Sequence, residues 1–164
     1  MSAAFTRMAS PIGELLLAGG AGELWAVWID GQRWAPAIPP EWQESPEPFA
    51  DARRQLGEYF AGARTAFDLP LRLRGTPFQI EVWAALTAIP YGETRTYGQV
   101  AASLGRPAAA RPVGTANGRN PFCIVVPCHR LIGADRGLVD YAAGLGAKRW
   151  LLGHEARRRR RAAQ

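Results

Sequence analysis

Apolar residues follow two different rhythms along this chain. Before about residue 75 they come in short runs separated by glycine and proline. After it they recur at helical spacing. Phe5 to Ala9, Glu14 to Ala18 and Glu23 to Asp30 predict three short strands. Ser10-Pro11-Ile12-Gly13 and Gly19-Gly20-Ala21-Gly22 predict the turns between them, so this part reads as a small antiparallel sheet. Pro36, Pro39, Pro40, Pro46 and Pro48 then mark a loop. From Phe49, the residues Ala52, Leu56, Tyr59 and Phe60 share one helical face. Phe67 to Arg74 is extended around Pro70 and predicts a link between two halves.

The second half predicts a row of short helices. Thr76 can cap the first, with Pro77 at its opening position and Gln79 three residues after the cap. Phe78, Val82, Ala85, Leu86 and Ile89 give it a buried face, and Pro90-Tyr91-Gly92-Glu93 ends it. Thr96 with Gln99 repeats the capping pattern for a helix through Leu104 that Gly105 stops. A third helix runs from about Ala109 to Gly118. Two short helices around a glycine-containing turn give the outline of a helix-turn-helix, which many ordinary helical pairs share. The third helix is small-sided: Ala108, Ala109, Ala110, Gly114, Ala116 and Gly118 permit close approach by another helix or by a nucleic acid groove. Phe122 to Pro127 predicts a strand leading to Cys128, and Leu145 to about Glu155 a last helix.

The 164 residues can bury a core without staples, as one domain or two small ones. No apolar run approaches the ~20 residues of a membrane span. Residues 1–8 lack a basic region followed by an apolar stretch. The expectation is a soluble cytoplasmic protein (nuclear in a eukaryote) whose two cysteines stay reduced. Lys and Arg exceed Asp and Glu by 20 to 14, and Lys148 is the only lysine. Guanidinium suits phosphate contacts. The closing run Arg157 to Arg161 reads either as a solvated tail or as a sequence-independent phosphate grip.

Chemistry concentrates at Ile124 to Leu131, I-V-V-P-C-H-R-L. The thiolate is the reactive form of cysteine, and a neighbouring imidazole can promote it. By themselves the residues leave two readings open, a buried inert cysteine and a nucleophile. Side chains alternate on a strand, so His129 reaches Cys128 only if the strand breaks, as Pro127 suggests, or through water. By the same alternation Cys123, five residues back, is expected to face away and to be structural.

Ordered blocks around this motif resemble the O6-alkylguanine-DNA alkyltransferase family, the methylated-DNA–protein-cysteine methyltransferases. They are Gly75-Thr76-Pro77-Phe78-Gln79, Val82-Trp83, Ile89-Pro90-Tyr91-Gly92-Glu93-Thr94, Tyr97-Gly98, Ala110-Arg111, Val113-Gly114 and Ala116-Asn117-Gly118. They continue with Asn120-Pro121, Val126-Pro127-Cys128-His129-Arg130, Tyr141, Gly144-Leu145, Lys148, Leu151-Leu152 and His154-Glu155. The match is dense from Gly75 to Glu155 and holds only in outline before that, as at Ser10-Pro11-Ile12-Gly13.

The resemblance implies an α+β fold. A ribonuclease H-like roll (a small antiparallel sheet with a helix) would span residues 1–74. A mostly helical, winged-helix-like domain with a helix-turn-helix would span 75–156, and a basic tail 157–164. It implies repair of O6-alkylguanine in double-stranded DNA, with the alkyl group moved irreversibly to Cys128 and the protein acting once. His129, oriented by Glu155, would activate Cys128 through water, and Asn120 would brace the turn. Tyr97 would protonate the leaving guanine. Arg111 would fill the space of the everted base, with Thr96, Tyr97, Ala110, Gly114 and Arg119 on the DNA face in the minor groove. The base pocket would be made by Tyr141, an amide near Ala142, and the carbonyls of Cys128 and Leu131. No cofactor, no metal and a monomer are expected.

The chain departs from the family pattern at Leu131, at Pro112 after Arg111, at the late glycine of Gly133-Ala134-Asp135-Arg136-Gly137, and at Asp140. Proline without a lost hydrogen bond requires the third helix to start near Ala109 or Ala110, or to bend. Two other functions stand beside alkyl transfer. One is lesion binding without transfer, as in alkyltransferase-like relatives. The other is a helix-turn-helix regulator, which leaves Cys128, His129 and Glu155 unexplained.

Overall fold

A computed structural model describes residues 3–35, 37–134 and 141–163. Positions Asp135, Arg136, Gly137 and Asp140 lie outside the described residues.

The first half forms a sheet in the order β3-β2-β1-β4. Strands β1 (Ala4–Met8), β2 (Leu15–Gly20) and β3 (Glu23–Ile29) pair antiparallel. The second turn is tighter than the glycine run suggests. Strand β2 continues to Gly20, and only Ala21 and Gly22 form the loop, both at positive φ, 53° and 80°. That is the conformation a two-residue hairpin requires. The proline loop adds a feature the apolar rhythm does not predict, a two-residue strand β4 (Gln43–Glu44) parallel to β1. Strand β2 is buried on both faces. Leu15 and Leu17 join the main core, while Leu16 and Ala18 pack with Ala26 under Trp28, Ile38 and Trp42. Helix α1 (Ala50–Phe60) buries Ala52, Leu56 and Tyr59, the face its spacing predicts.

Residues 67–74 link the halves in extended form, bridging to β3 through Leu24 and Leu71. Helix α2 (Pro77–Thr87) opens with the expected capping box: the Gln79 amide donates to Thr76 Oγ1 at 3.1 Å, and the Thr76 amide to Gln79 Oε1 at 3.0 Å. Thr96 and Gln99 repeat it for α3 (Tyr97–Ser103). Helix α4 (Ala110–Gly118) begins so that Pro112 stands at its third position. The first helical bond runs from the Val113 amide to the Ala109 carbonyl, so proline removes no donor the helix needs. Trp83 Nε1 donates to the Ala116 carbonyl at 2.9 Å and fastens α2 to α4. A short parallel pair, β5 (Arg95–Thr96) with β6 (Leu131–Ile132), draws the segment after Cys128 beside the start of α3.

Two expectations change. Residues 122–127 are not a strand. Ile124 sits at φ 73°, the Val126 amide folds back onto the Phe122 carbonyl, and the apolar run reflects burial rather than extension. The basic run is not a separate tail, because α5 runs from Leu145 to Ala163. Arginine is a good helix former, and cations at a helix C-terminus complement its dipole. Arg158 Nε donates to the Gly62 carbonyl at 2.6 Å and Arg159 Nη1 to the Gly92 carbonyl at 3.1 Å.

Candidate active site

The turn that carries Cys128 is held from inside by Asn120. Its side-chain oxygen accepts from the Phe122 amide at 2.9 Å, and its Nδ2 donates to the carbonyls of Val126 at 2.8 Å and Phe122 at 3.3 Å. With Asn120 95% buried, these bonds replace the ladder a strand would have provided. Cys128, His129 and Arg130 then form a single 3₁₀ turn, so the strand parity that would separate thiol and imidazole does not apply. Asn117 Nδ2 donates to the Cys128 carbonyl at 3.4 Å.

Behind the turn lies a buried polar hub around Glu155. His129 Nε2 is 2.7 Å from Glu155 Oε2. Arg130 clamps both carboxylate oxygens, Nε to Oε1 at 2.9 Å and Nη2 to Oε2 at 3.0 Å. Tyr59 Oη donates to Oε2 at 2.7 Å, and the Gly92 amide to Oε1 at 3.2 Å. Burial would raise the carboxyl's pKa, but the hydrogen bond from His129 and the paired charge of Arg130 outweigh it and hold Glu155 ionised. Burial lowers the His129 pKa despite Glu155, so the imidazole is neutral. An ionised acceptor at Nε2 places the proton there. Nδ1 is then the basic nitrogen, and it has no hydrogen-bond partner among the described residues.

Cys128 is 93% buried and still faces a pocket. Its pKa is lowered to about 7: the polar side chains of Cys123, Asn120 and Tyr141 beside it favour the thiolate, Lys148 adds charge, and burial opposes them. The space in front of the sulfur is about 20 Å³, room for roughly one water molecule. Tyr97, Asn117, Tyr141 and Ala142 share its wall with both cysteines. Outside it, a groove of about 590 Å³ runs along α4, lined by Ala110, Arg111, Gly114, Arg119, Trp34 and Tyr97. Tyr97, Gly114 and Gly118 line both spaces, so the groove and the thiol's pocket share a wall. The Tyr97 ring lies so close to Gly114 that a Cβ there would meet it at 3.3 Å.

The structure thus brings together Cys128, Asn120, Tyr97, Tyr141 and Ala142 at one pocket, and Arg111, Ala110, Gly114 and Arg119 on the groove. Thr96 caps α3 at its side. Leu131 does not line the pocket: it is fully buried, and its carbonyl accepts from Lys148 Nζ at 2.6 Å. His154 serves structure, bonding the Tyr59 carbonyl at 2.7 Å and stacking on Trp150. Sequence reasoning missed Tyr59, which lies 96 residues from Glu155 and gives no local signal. It also misplaced Cys123. The left-handed Ile124 breaks the alternation, and Cys123 faces Cys128 and Tyr141.

A helix-turn-helix groove rich in arginine, with an acidified thiol behind it, defines a DNA-directed protein built around one nucleophilic cysteine. Residues 77–157 match the DNA-binding domain of 6-O-methylguanine DNA methyltransferase, and residues 4–73 its ribonuclease-like domain. The chain belongs to that family. It is 53% identical over 148 residues to the methylated-DNA–protein-cysteine methyltransferase of Mycolicibacterium paratuberculosis, covering 90% of this chain and 89% of that one. The enzyme of the same name from Methanosarcina acetivorans is 51% identical over 144 residues, covering 87% and 92%. The crystal structure of Mycobacterium tuberculosis OGT in complex with DNA superposes with a TM-score of 0.90 at 49% identity, covering 94% and 93%. Among the described residues no helix is long and apolar enough to cross a membrane.

Proposed function

We propose that this protein repairs O6-alkylguanine in duplex DNA by a single, irreversible transfer of the alkyl group to Cys128. The observation that carries the reading is the position of Cys128. Its pKa is lowered to about 7, and its pocket shares Tyr97, Gly114 and Gly118 with the arginine-lined groove.

The groove receives the minor groove of DNA, where the small side chains of α4 permit close approach. Arg111 occupies the space the everted nucleotide leaves, which offsets part of the few kcal/mol of unstacking. Cys128 gives its proton through water to Nδ1 of His129. Glu155, held ionised by Arg130, stabilises the imidazolium that forms. The thiolate attacks the alkyl carbon, the S–C bond forms as the C–O bond breaks, and the electron pair goes to the guanine. Tyr97 supplies the proton that lets guanine leave neutral. Because an S-alkylcysteine is a thioether without a good leaving group, the protein acts once, as a monomer, in the reducing cytoplasm.

The test is to incubate the full chain with a duplex carrying O6-methylguanine and weigh the intact protein. One added methylene on Cys128, with unmodified guanine restored in the DNA, is the expected result. Lesion-selective binding without mass gain would replace this reading with lesion recognition alone. Equal affinity for undamaged duplex would point to a regulator.

A further inference from the structure

Cys123 has no part in the reaction as drawn so far, yet it sits at its centre. It is 98% buried, and its sulfur lies 2.8 Å from Tyr141 Oη. Both cysteines line the same small pocket. The backbone permits the pairing: Ile124 at φ 73° and the Val126-to-Phe122 bond fold residues 122–128 back. We propose that Cys123 is a second catalytic thiol, whose S–H donates to the Cys128 sulfur and holds it as the attacking thiolate. The inference rests on Cys128 being the alkyl acceptor.

The proton belongs on Cys123 for a structural reason. Asn120 and the charge of Lys148 favour a thiolate at Cys128, whereas burial holds Cys123 as the thiol. Tyr141 Oη lies 2.8 Å from the Cys123 sulfur and also favours the thiolate of Cys128, so hydroxyl and thiol together surround the sulfur that attacks. The other ionisable groups about Cys128 are Tyr97 on α3, His129 on its own turn and Lys148 on α5. In the transfer step Cys123 keeps its proton. Its hydrogen bond weakens as the thiolate becomes a neutral thioether, so its contribution is to nucleophile formation and not to product binding.

Iodomethane isolates this role. Its iodide leaves without protonation, so Tyr97 is not needed: the S–CH₃ bond forms, the C–I bond breaks, and only the ionisation of Cys128 sets the rate. Methylation of Cys128 is followed against pH by mass spectrometry in the wild-type chain, Cys123→Ala and Cys123→Ser. Wild type should show a midpoint near 7. In Cys123→Ala the midpoint should rise by about one unit, cutting the rate at pH 7 roughly fivefold. At high pH the Ala variant should overtake wild type, because a more basic thiolate is the better nucleophile. Crossing curves are a signature that a merely structural defect cannot produce, since it would lower the rate at every pH. Cys123→Ser, a conservative donor, should fall between. If Cys123→Ala does not fold, Cys123→Val, close in volume and without a donor, decides in its place. An unchanged midpoint in the folded variants, or a uniform fall, overturns the proposal. Methyl transfer from O6-methylguanine is measured alongside. Wild type that fails there while the iodomethane curves cross would defeat the repair reading and leave the role of Cys123 standing.

Discussion

The Glu155 carboxylate lies 2.7 Å from His129 Nε2 and is chelated on its far side by Arg130, all three buried. The pair sets the tautomer of His129 and also ties the last helix to the turn that carries Cys128. Removing the carboxylate charge should therefore harm folding as well as chemistry. Glu155→Gln leaves the Arg130 guanidinium buried without its counter-charge, and a loss of about 3–5 kcal/mol in urea unfolding is expected. Alkyl transfer by the fraction that remains folded should slow by at least tenfold, measured in single-turnover mixing.

The same hub predicts an acid-labile fold. Glu155 has a lowered pKa in the folded state, so its contribution is complete above about pH 5 and is lost as pH falls through the folded value. His129 also has a lowered pKa, so below its unfolded value of about 6.5 the unfolded chain binds a proton the folded one does not. Both signs agree: the stability these two groups contribute rises with pH from the acid side and levels off near neutrality, above which the lowered pKa of Cys128 adds a further rise. Urea midpoints between pH 4 and 8 would show it. A midpoint independent of pH would contradict the ionised Glu155 and neutral His129.

Asn120 replaces a strand's hydrogen bonds with three of its own. Asn120→Ala leaves the Phe122 amide buried without a partner, while the Val126 carbonyl keeps the Cys128 amide at 2.7 Å. The expected loss is about 1–3 kcal/mol, the cost of one orphaned group. Because the turn also positions the sulfur, methyl transfer should fall further than the melting temperature alone accounts for.

Gly114→Ala separates stability from DNA access. Alanine favours a helix interior over glycine by about 1 kcal/mol, so the fold should hold or gain slightly. The new Cβ meets the Tyr97 ring at 3.3–3.4 Å and must displace it. Transfer from O6-methylguanine in duplex DNA should drop several-fold while thermal stability does not. Unchanged transfer would mean that Tyr97 yields without consequence, and equal losses in both would mean that the substitution acts through the fold.

Truncation after Glu155 removes the hydrogen bonds of Arg158 to Gly62 and of Arg159 to Gly92, the turn whose amide supports Glu155. A loss of about 1–3 kcal/mol in chemical denaturation is expected, from two exposed or half-buried bonds and the last helical turns. Were the run only a phosphate grip, denaturation would be unchanged and only the salt dependence of DNA binding would flatten.

Much of this protein is written locally. The capping boxes at Thr76 and Thr96, the hairpin turns, the α1 face and the admissible position of Pro112 depend on residues within a few positions of one another, so the amino-acid order alone determines them. The blocks around Cys128 are as local, and they carried the family. Tertiary structure decided the rest. Alternation put Cys123 on the wrong side because it assumes an extended backbone, and a single left-handed residue at Ile124 reverses that parity. Only the folded chain brings Tyr59 and Arg130 onto Glu155, because a buried charge recruits partners by distance in space, whatever their separation in sequence. The basic run became part of α5 because carbonyls at Gly62 and Gly92, remote in sequence, lay within reach of its guanidinium groups.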